Sequence, residues 1–277
     1  GDQWALANSG QRGGKQGADI SATLAWATTT GSEDVVVAVL DSGVDYTHED
    51  LVGNMWMRPA GMAPYQDSEL GTIDDENGFS ALDSNRDPMD DNGHGTHCAG
   101  IIGAEGENNL GIAGVNWNVK IMPLKFMSSG GFGTTKDAIE AINYVIDRKK
   151  AGVNVRVISA NWGSTQKSRA LEDAIRSAHA ENILFVCAAG NAAAEGHALS
   201  HYPGDYKLEN IVSVAALRNI PDPARISALL AASRRAVSSP LRPRRANRAW
   251  VCNESSCSCC WRRTACAPTS AHSRLVR

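Results

Sequence analysis

Hydrophobic positions along this chain fall into two rhythms. Short unbroken apolar runs come first: Val-Val-Val-Ala-Val-Leu at 35–40, then stretches at 119–126, 155–160, 183–189 and 211–216. Each is β-branched and continuous, the pattern of a strand covered on both faces. Between them the apolar residues are spaced for helices. Over 134–152, Ile139, Ile142 and Ile146 share one face. Thr134 and Asp137 supply a start signal, and Arg148, Lys149 and Lys150 followed by Gly152 supply a stop. Over 168–181, Leu171, Ile175 and Ala178 align in the same way. Strand and helix alternating like this predict an α/β fold of three layers. Its central sheet is mostly parallel and carries helices on both faces. Function in such a sheet belongs at the carboxyl ends of the strands.

Composition divides the chain unequally. The 277 residues are 43% hydrophobic and 21% charged, with a net charge of -3, values that suit a globular core. No apolar run approaches the ~20 residues that span a bilayer. That small net charge conceals a break near residue 218. Residues 218–277 hold 12 arginines, no lysine and only two acids, so they carry +10 while the preceding 217 residues carry -13. All 26 glycines lie at or before Gly204, and five of seven cysteines follow Trp250. The expected organisation is one domain over 1–217 and a compositionally foreign tail over 218–277. Beginning Gly-Asp-Gln-Trp without a methionine, the chain reads as a processed product or a fragment.

Polar residues cluster where the strands end. Asp41 follows Val35–Leu40 at once and opens Asp-Ser-Gly-Val-Asp. Alone, it is either a turn aspartate or a carboxylate placed to orient another group. Asn191 follows the 183–189 run in Ala-Ala-Gly-Asn, where its amide could face an oxyanion or only shape a loop. His94 and His97 lie in Asp-Asp-Asn-Gly-His-Gly-Thr-His-Cys-Ala-Gly, at a predicted helix start. Their spacing differs from the zinc motif His-Glu-x-x-His, and no Glu stands between them. His97 is therefore expected as a packing residue on the inward side, and His94 as a base oriented by a neighbouring carboxylate. Cys98 and Cys187 sit in apolar runs and read as small packing residues.

Five motifs in order carry a family resemblance. They are VVVAVLDSGVDYTHEDL, DPMDDNGHGTHCAGIIGA, GIAGVNWNVKIMPLKF, RVISANWGS and LFVCAAGN, and together they resemble the subtilisin-like serine proteases over residues 1–217. The resemblance implies that Asp41 is the orienting acid, His94 the general base and Asn191 the side-chain donor to the tetrahedral oxyanion. By the same resemblance, Gly131, Phe132 and Gly133, with Asn161, Trp162 and Gly163, flank an extended peptide and hold its backbone by strand addition. One departure is Asn161, where the family often has serine. Asp50 and Asn108 match positions at which many of these proteases bind calcium. The implied partners are extended peptides or proteins, with no nucleic acid and no membrane. The implied setting is extracellular and the implied state monomeric. No cofactor is required for the chemistry, and calcium would be structural.

The family's nucleophile lies in a Gly-Thr-Ser-Met-Ala stretch, and this sequence contains none. The resemblance stops after residue 217, leaving the fold C-terminally incomplete. Ser238 and Ser239 lie in Ala-Val-Ser-Ser-Pro-Leu, which offers no helix start for a nucleophile. The tail admits three readings: a basic nucleic-acid arm, a cysteine-rich module or the product of a reading-frame slip. Its loss of glycine together with gain of Arg, Ala, Pro, Ser and Cys fits the third best. The expectation is a serine endopeptidase by lineage whose present chain lacks turnover. The alternative is a non-catalytic chain that binds peptides in the retained groove.

Overall fold

The computed structural model describes residues 3–67, 71–82, 86–190, 193–194, 197–198 and 200–216. Asn191 and the whole 218–277 segment lie outside the described residues.

The chain opens with a short helix α1 (Ala22–Trp26) and the long strand β1 (Gly31–Asp41). A small hairpin, β2 (Tyr65–Asp67) with β3 (Gly71–Ile73), and a two-residue strand β4 (Phe79–Ser80) follow. Then come α2 (His94–Gly103), β5 (Asn118–Lys125), α3 (Thr135–Lys150), β6 (Val155–Ala160), α4 (Arg169–Ala180) and β7 (Leu184–Ala188). A second small hairpin, β8 (Ala193–Ala194) with β9 (His197–Ala198), precedes β10 (Ile211–Val214). Six strands form one sheet in the order β10-β7-β6-β1-β5-β4, and every pairing in it is parallel. The five strands expected from apolar runs are all present; four lie within two residues of their expected ends, and β1 begins four residues earlier than its apolar run.

Alternation along β1 builds the three layers. Val36, Ala38 and Leu40 pack into a core shared with Ala138, Ile142 and Val145 of α3 and with Ile175 of α4. Val37 and Val39 point the other way, into a second core with Cys98 and Ala99 of α2. Successive side chains on a strand face opposite sides, so a continuous apolar run is what a sheet buried on both faces requires. The caps of α3 are as the sequence predicts. Thr134 Oγ1 accepts the Asp137 amide at 3.2 Å while the Asp137 carboxylate accepts the Thr134 amide at 3.1 Å. This reciprocal box satisfies two otherwise orphaned donors, an effect of about 1 kcal/mol.

The two faces are not equally covered. On the α2 side, register places Val37, Val157, Leu184, Val186 and Val212 on one surface. Burial falls along it: Val37 is buried and Val157 half-buried, while Leu184 is 45% and Val212 39% exposed. On the α3–α4 side Phe185 is completely buried beside Leu184 in the same strand. The α3–α4 face is therefore buried from β1 through β7, with Ile211 of β10 half-buried, while the other face is buried at β1 and opens toward β7 and β10. Phe185→Ala should lower unfolding free energy by about 3–5 kcal/mol, and Leu184→Thr by less than about 1 kcal/mol. Urea unfolding of both variants checks this; equal losses would contradict the asymmetry.

Candidate active site

Asp41 is the last residue of β1 and His94 the first of α2, so the strand end meets a helix start. His94 Nδ1 lies 2.6 Å from Asp41 Oδ1. An ionised carboxylate only accepts, so the shared proton belongs to Nδ1 and Nε2 carries the ring's lone pair. Asp41 is fully buried, whereas the His94 side chain is 39% exposed. The imidazole thus has one edge anchored inside the protein and the other toward solvent, the disposition of a base that must reach a substrate. Asp41 Oδ1 also accepts the Ser42 amide at 2.8 Å, while Oδ2 is buried without a partner. A buried carboxylate with one oxygen unpaired is an uncompensated charge that an imidazolium at His94 would relieve.

Two glycines let the strand end and the helix touch. A Cβ on Gly95 would collide with the carbonyl oxygen of Gly43 and crowd Asp41 Cβ. Gly43 itself holds φ at 101°, and a side chain there would strike the carbonyl of Pro88. The Gly-rich local sequence is the condition for the 2.6 Å contact, because any larger residue would push α2 off the turn.

Asp90 ties down the approach to the helix. Its Oδ1 accepts the amides of Asn92 and Gly93, each at 3.0 Å. Its Oδ2 accepts Thr96 N at 2.9 Å and Thr96 Oγ1 at 2.6 Å. A carboxylate also suits the positive end of the helix dipole. Burial would raise its carboxyl pKa, but the hydrogen bonds from Thr96, Gly93 and Asn92 outweigh that and hold it below the usual aspartate value.

The expected substrate segments sit on either side. Asn92 Nδ2 donates to Ser129 O at 2.8 Å, joining the His94 loop to the loop at 128–133. That loop turns on Gly131, at φ 77°, and leaves Phe132 81% exposed. Gly133 packs so closely on Phe126 that a side chain would clash with its carbonyl. Trp162 Nε1 donates to Leu40 O at 2.9 Å, and its ring lies 4.7 Å from that of Phe126. Asn161 Nδ2 reaches Ser159 Oγ at 3.3 Å, and Gly163 is exposed. The structure therefore brings Asp41, His94, the 131–133 loop and the 161–163 segment to one end of the sheet.

Asp50 and Asn108, 58 residues apart in sequence, also meet. Asn108 Nδ2 donates to Asp50 Oδ1 at 2.7 Å and Ile112 N to Oδ2 at 2.9 Å, with Asp50 fully buried. The Asn108 oxygen accepts Leu110 N at 3.0 Å. Gly111, at φ 38°, lies against the Asp50 carboxylate so tightly that a Cβ would collide with Oδ2. Both oxygens of this buried carboxylate thus accept N–H groups from the 108–112 loop.

Several residues escaped the sequence reading. His97 is half-buried; the helix turns Cys98 and Ala99 fully inward in its place. Cys98, expected only to pack, lies with its sulfur 4.0 Å from His94 Nδ1. Asp41, His94 and Cys98 are the one group of three potential metal ligands found close together among the described residues. The geometry is not that of a bound zinc: two ligands on one tetrahedral ion at ~2.0 Å stand about 3.3 Å apart, wider than the 2.6 Å hydrogen bond. His201 lies between Gly163 and Gly190, either of which would collide with its ring if it bore a side chain. Its Nε2 is buried without a partner. Ser42 and Asp90 carried no signal beyond membership of the two motifs.

The lowered Asp90 pKa has a definite sign. A carboxyl whose folded pKa is depressed contributes stability above its unfolded value near 4, lost as pH falls through the folded value. The stability difference between the native chain and Asp90→Asn should therefore be widest at neutral pH and shrink as pH falls below about 4. Urea midpoints at pH 7, 5 and 3 test this, and a difference growing toward acid would contradict it.

Comparison with known proteins agrees with this geometry. The subtilase family profile matches residues 32–272. The chain is 35% identical over 193 residues to the thermophilic serine proteinase of Bacillus sp. (strain AK1), covering 70% of this chain and 41% of that protein. It is 32% identical over 197 residues to thermitase of Thermoactinomyces vulgaris, covering 71% and 60% respectively. Over 216 residues it is 32% identical to the cell wall-associated protease of Bacillus subtilis (strain 168), covering 77% and 21%. The chain thus spans less than two thirds of the length of each of these relatives. With the Asp-to-His contact at a strand end, the parallel sheet and the family match all in agreement, this chain belongs to the subtilase family.

Proposed function

We propose that this site is built for peptide-bond hydrolysis by the serine-protease route, with Asp41 as orienting acid and His94 as general base. The 2.6 Å contact between His94 Nδ1 and Asp41 Oδ1 is the observation that supports it. In the forward step His94 Nε2 takes a hydroxyl proton as oxygen attacks the peptide carbonyl, then returns it to the leaving amine. Asp41 fixes the tautomer and stabilises the imidazolium. Asn191 is assigned to the oxyanion, where one such donor contributes roughly 10²–10³ in turnover. The 131–133 and 161–163 segments hold an extended peptide or protein from both sides. The enzyme acts outside the cell, as a monomer, without nucleic acid or membrane. Among the described residues no helix is long and apolar enough to cross a bilayer.

The chain as it stands is proposed to have no turnover, because its sequence lacks the Gly-Thr-Ser-Met-Ala stretch of the family. In subtilisin itself, loss of the serine costs about 2 × 10⁶ in turnover. The 218–277 segment is assigned to a reading-frame slip, on the strength of its arginine-rich, glycine-free composition. The purified chain should neither cleave a casein or peptide substrate nor be labelled by a fluorophosphonate. Labelling at any serine would overturn this half of the proposal. Retained segments on both sides of the cleft support a second reading, a peptide-binding protein without turnover. Titration with extended peptides should then give saturable binding, and its absence would remove that reading.

Asp50 and Asn108 are proposed to hold a structural calcium ion. Calcium takes six to eight oxygens, so the ion would need the Asn108 amide oxygen turned inward and further ligands besides. The ion would supply charge compensation for the buried Asp50 and tie the 105–112 loop to the segment before β2. Calcium at 100 times its Kd should add about 2.7 kcal/mol of stability, seen as a rise in Tm that a chelator reverses. Asp50→Asn should abolish the rise, and a calcium effect undiminished in that variant would place the ion elsewhere.

A further inference from the structure

Ser42, next to Asp41 in sequence, is fully buried and uses every polar atom it has. Its amide donates to Asp41 Oδ1 at 2.8 Å. Its hydroxyl donates to Asp90 Oδ1 at 2.8 Å and accepts the Gly95 amide at 3.0 Å. Its carbonyl accepts Lys125 Nζ at 3.0 Å. The same ammonium, itself buried, reaches Met89 O at 3.2 Å and Asp91 Oδ1 at 2.6 Å. Four parts of the fold meet at one residue: the end of β1, the loop before His94, the first turn of α2 and the end of β5.

The direction of these bonds is forced. Asp90 already accepts four N–H or O–H groups from Asn92, Gly93 and Thr96 and, ionised, has no proton to give. The single Ser42 hydroxyl proton must therefore go to Asp90, which turns an oxygen lone pair onto Gly95 N–H. Gly95 directly follows His94, so fixing its amide fixes the backbone that carries the imidazole. The Ser42 amide meanwhile fixes the Asp41 oxygen that receives His94 Nδ1. One residue thus sets both ends of a 2.6 Å contact whose partners lie 53 residues apart, its amide holding the Asp41 end and its hydroxyl the His94 end.

We propose that Ser42, oriented by Asp90, is the positioning residue that holds Asp41 and His94 in register. The inference rests on the reading of that pair as acid and base, and it adds a specific carrier of their geometry. Catalytic constellations tolerate errors of only about 0.5 Å, so the bridge matters even though neither Ser42 nor Asp90 touches a substrate.

The test reads the His94 Nδ1 proton by NMR in the 15N-labelled full chain, assigned by its loss in His94→Gln. In the native chain this proton is deshielded and slow to exchange with solvent. Ser42→Ala should speed its exchange about ten- to a hundredfold, the range for one lost buried hydrogen bond. Asp90→Asn should do so as well, by allowing the hydroxyl to turn. Ser42→Thr, which keeps the hydroxyl, should stay within about threefold of the native rate. Leu184→Thr, far along the sheet, is the control for general loosening and should leave the proton unchanged. If Ser42→Ala does not fold, Asp90→Asn carries the same test. An unchanged proton in the Ser42 or Asp90 variants overturns the bridge while leaving the acid–base pair intact. Equal acceleration in Leu184→Thr overturns it too, as mere loosening. No protected proton in the native chain overturns both the pair and the bridge.

Discussion

The constraint on which the site depends is the closeness of the β1 end to the first turn of α2. A strand and a helix pack at distances set by their side chains, and here the side chains are absent where contact is made. Gly95 over the Gly43 carbonyl brings backbone to backbone. That leaves the Asp41 carboxylate beneath the His94 ring, at hydrogen-bond distance, inside protein that water does not reach. Excluding water makes the contact electrostatically stronger and also makes an unpaired charge there expensive. The surrounding donors answer that cost: Ser42 N–H on Asp41, and the amides of Asn92, Gly93 and Thr96 on Asp90.

Much of the scaffold was legible in the chain because burial on two faces leaves a plain mark. Val35–Leu40 has no polar interruption and is β-branched, the pattern of a central strand buried between helical layers. The α3 cap was equally readable, since Thr134 and Asp137 form a box from residues three apart. Asp41 and His94 could be paired from motif order. What could not be read was anything depending on which atom faces which. His97 and Cys98 are neighbours in a helix, and a rotation of 100° decides which one enters the core. The sequence pointed to packing for both; the structure buries Cys98, leaves His97 half-buried, and brings the Cys98 sulfur to 4.0 Å from His94 Nδ1. His201 gave no signal, because its place between Gly163 and Gly190 is created by two distant loops.

Charge has two separate uses in this small region. Asp90 acts through hydrogen bonds to neutral donors, and its charge is spread over an entire turn of backbone. Lys125 acts as a buried cation, compensated by Asp91 and by two carbonyls. The ammonium is buried while the Asp91 carboxylate is half exposed, so the cation relies on the Ser42 and Met89 carbonyls as well as on a partly solvated charge. Asp90 bonds and the Lys125 ammonium hold the same 89–93 loop to α2 and to β5, so the segment leading to His94 has little freedom to drift from the strand end.

The graded drying of the sheet gives the domain a direction in which to come apart. Protection of backbone hydrogen bonds follows the apolar cover above them, so opening is easiest where Leu184 and Val212 meet solvent and hardest along β1. Amide exchange would run as a front from β10 through β7 and β6 toward the centre. Asp41 and His94 stand at the far end of that front, on β1 and the helix packed against it. A chain in the act of fraying at one edge would thus still hold its Asp41 and His94 together, and would lose them only when it loses its fold.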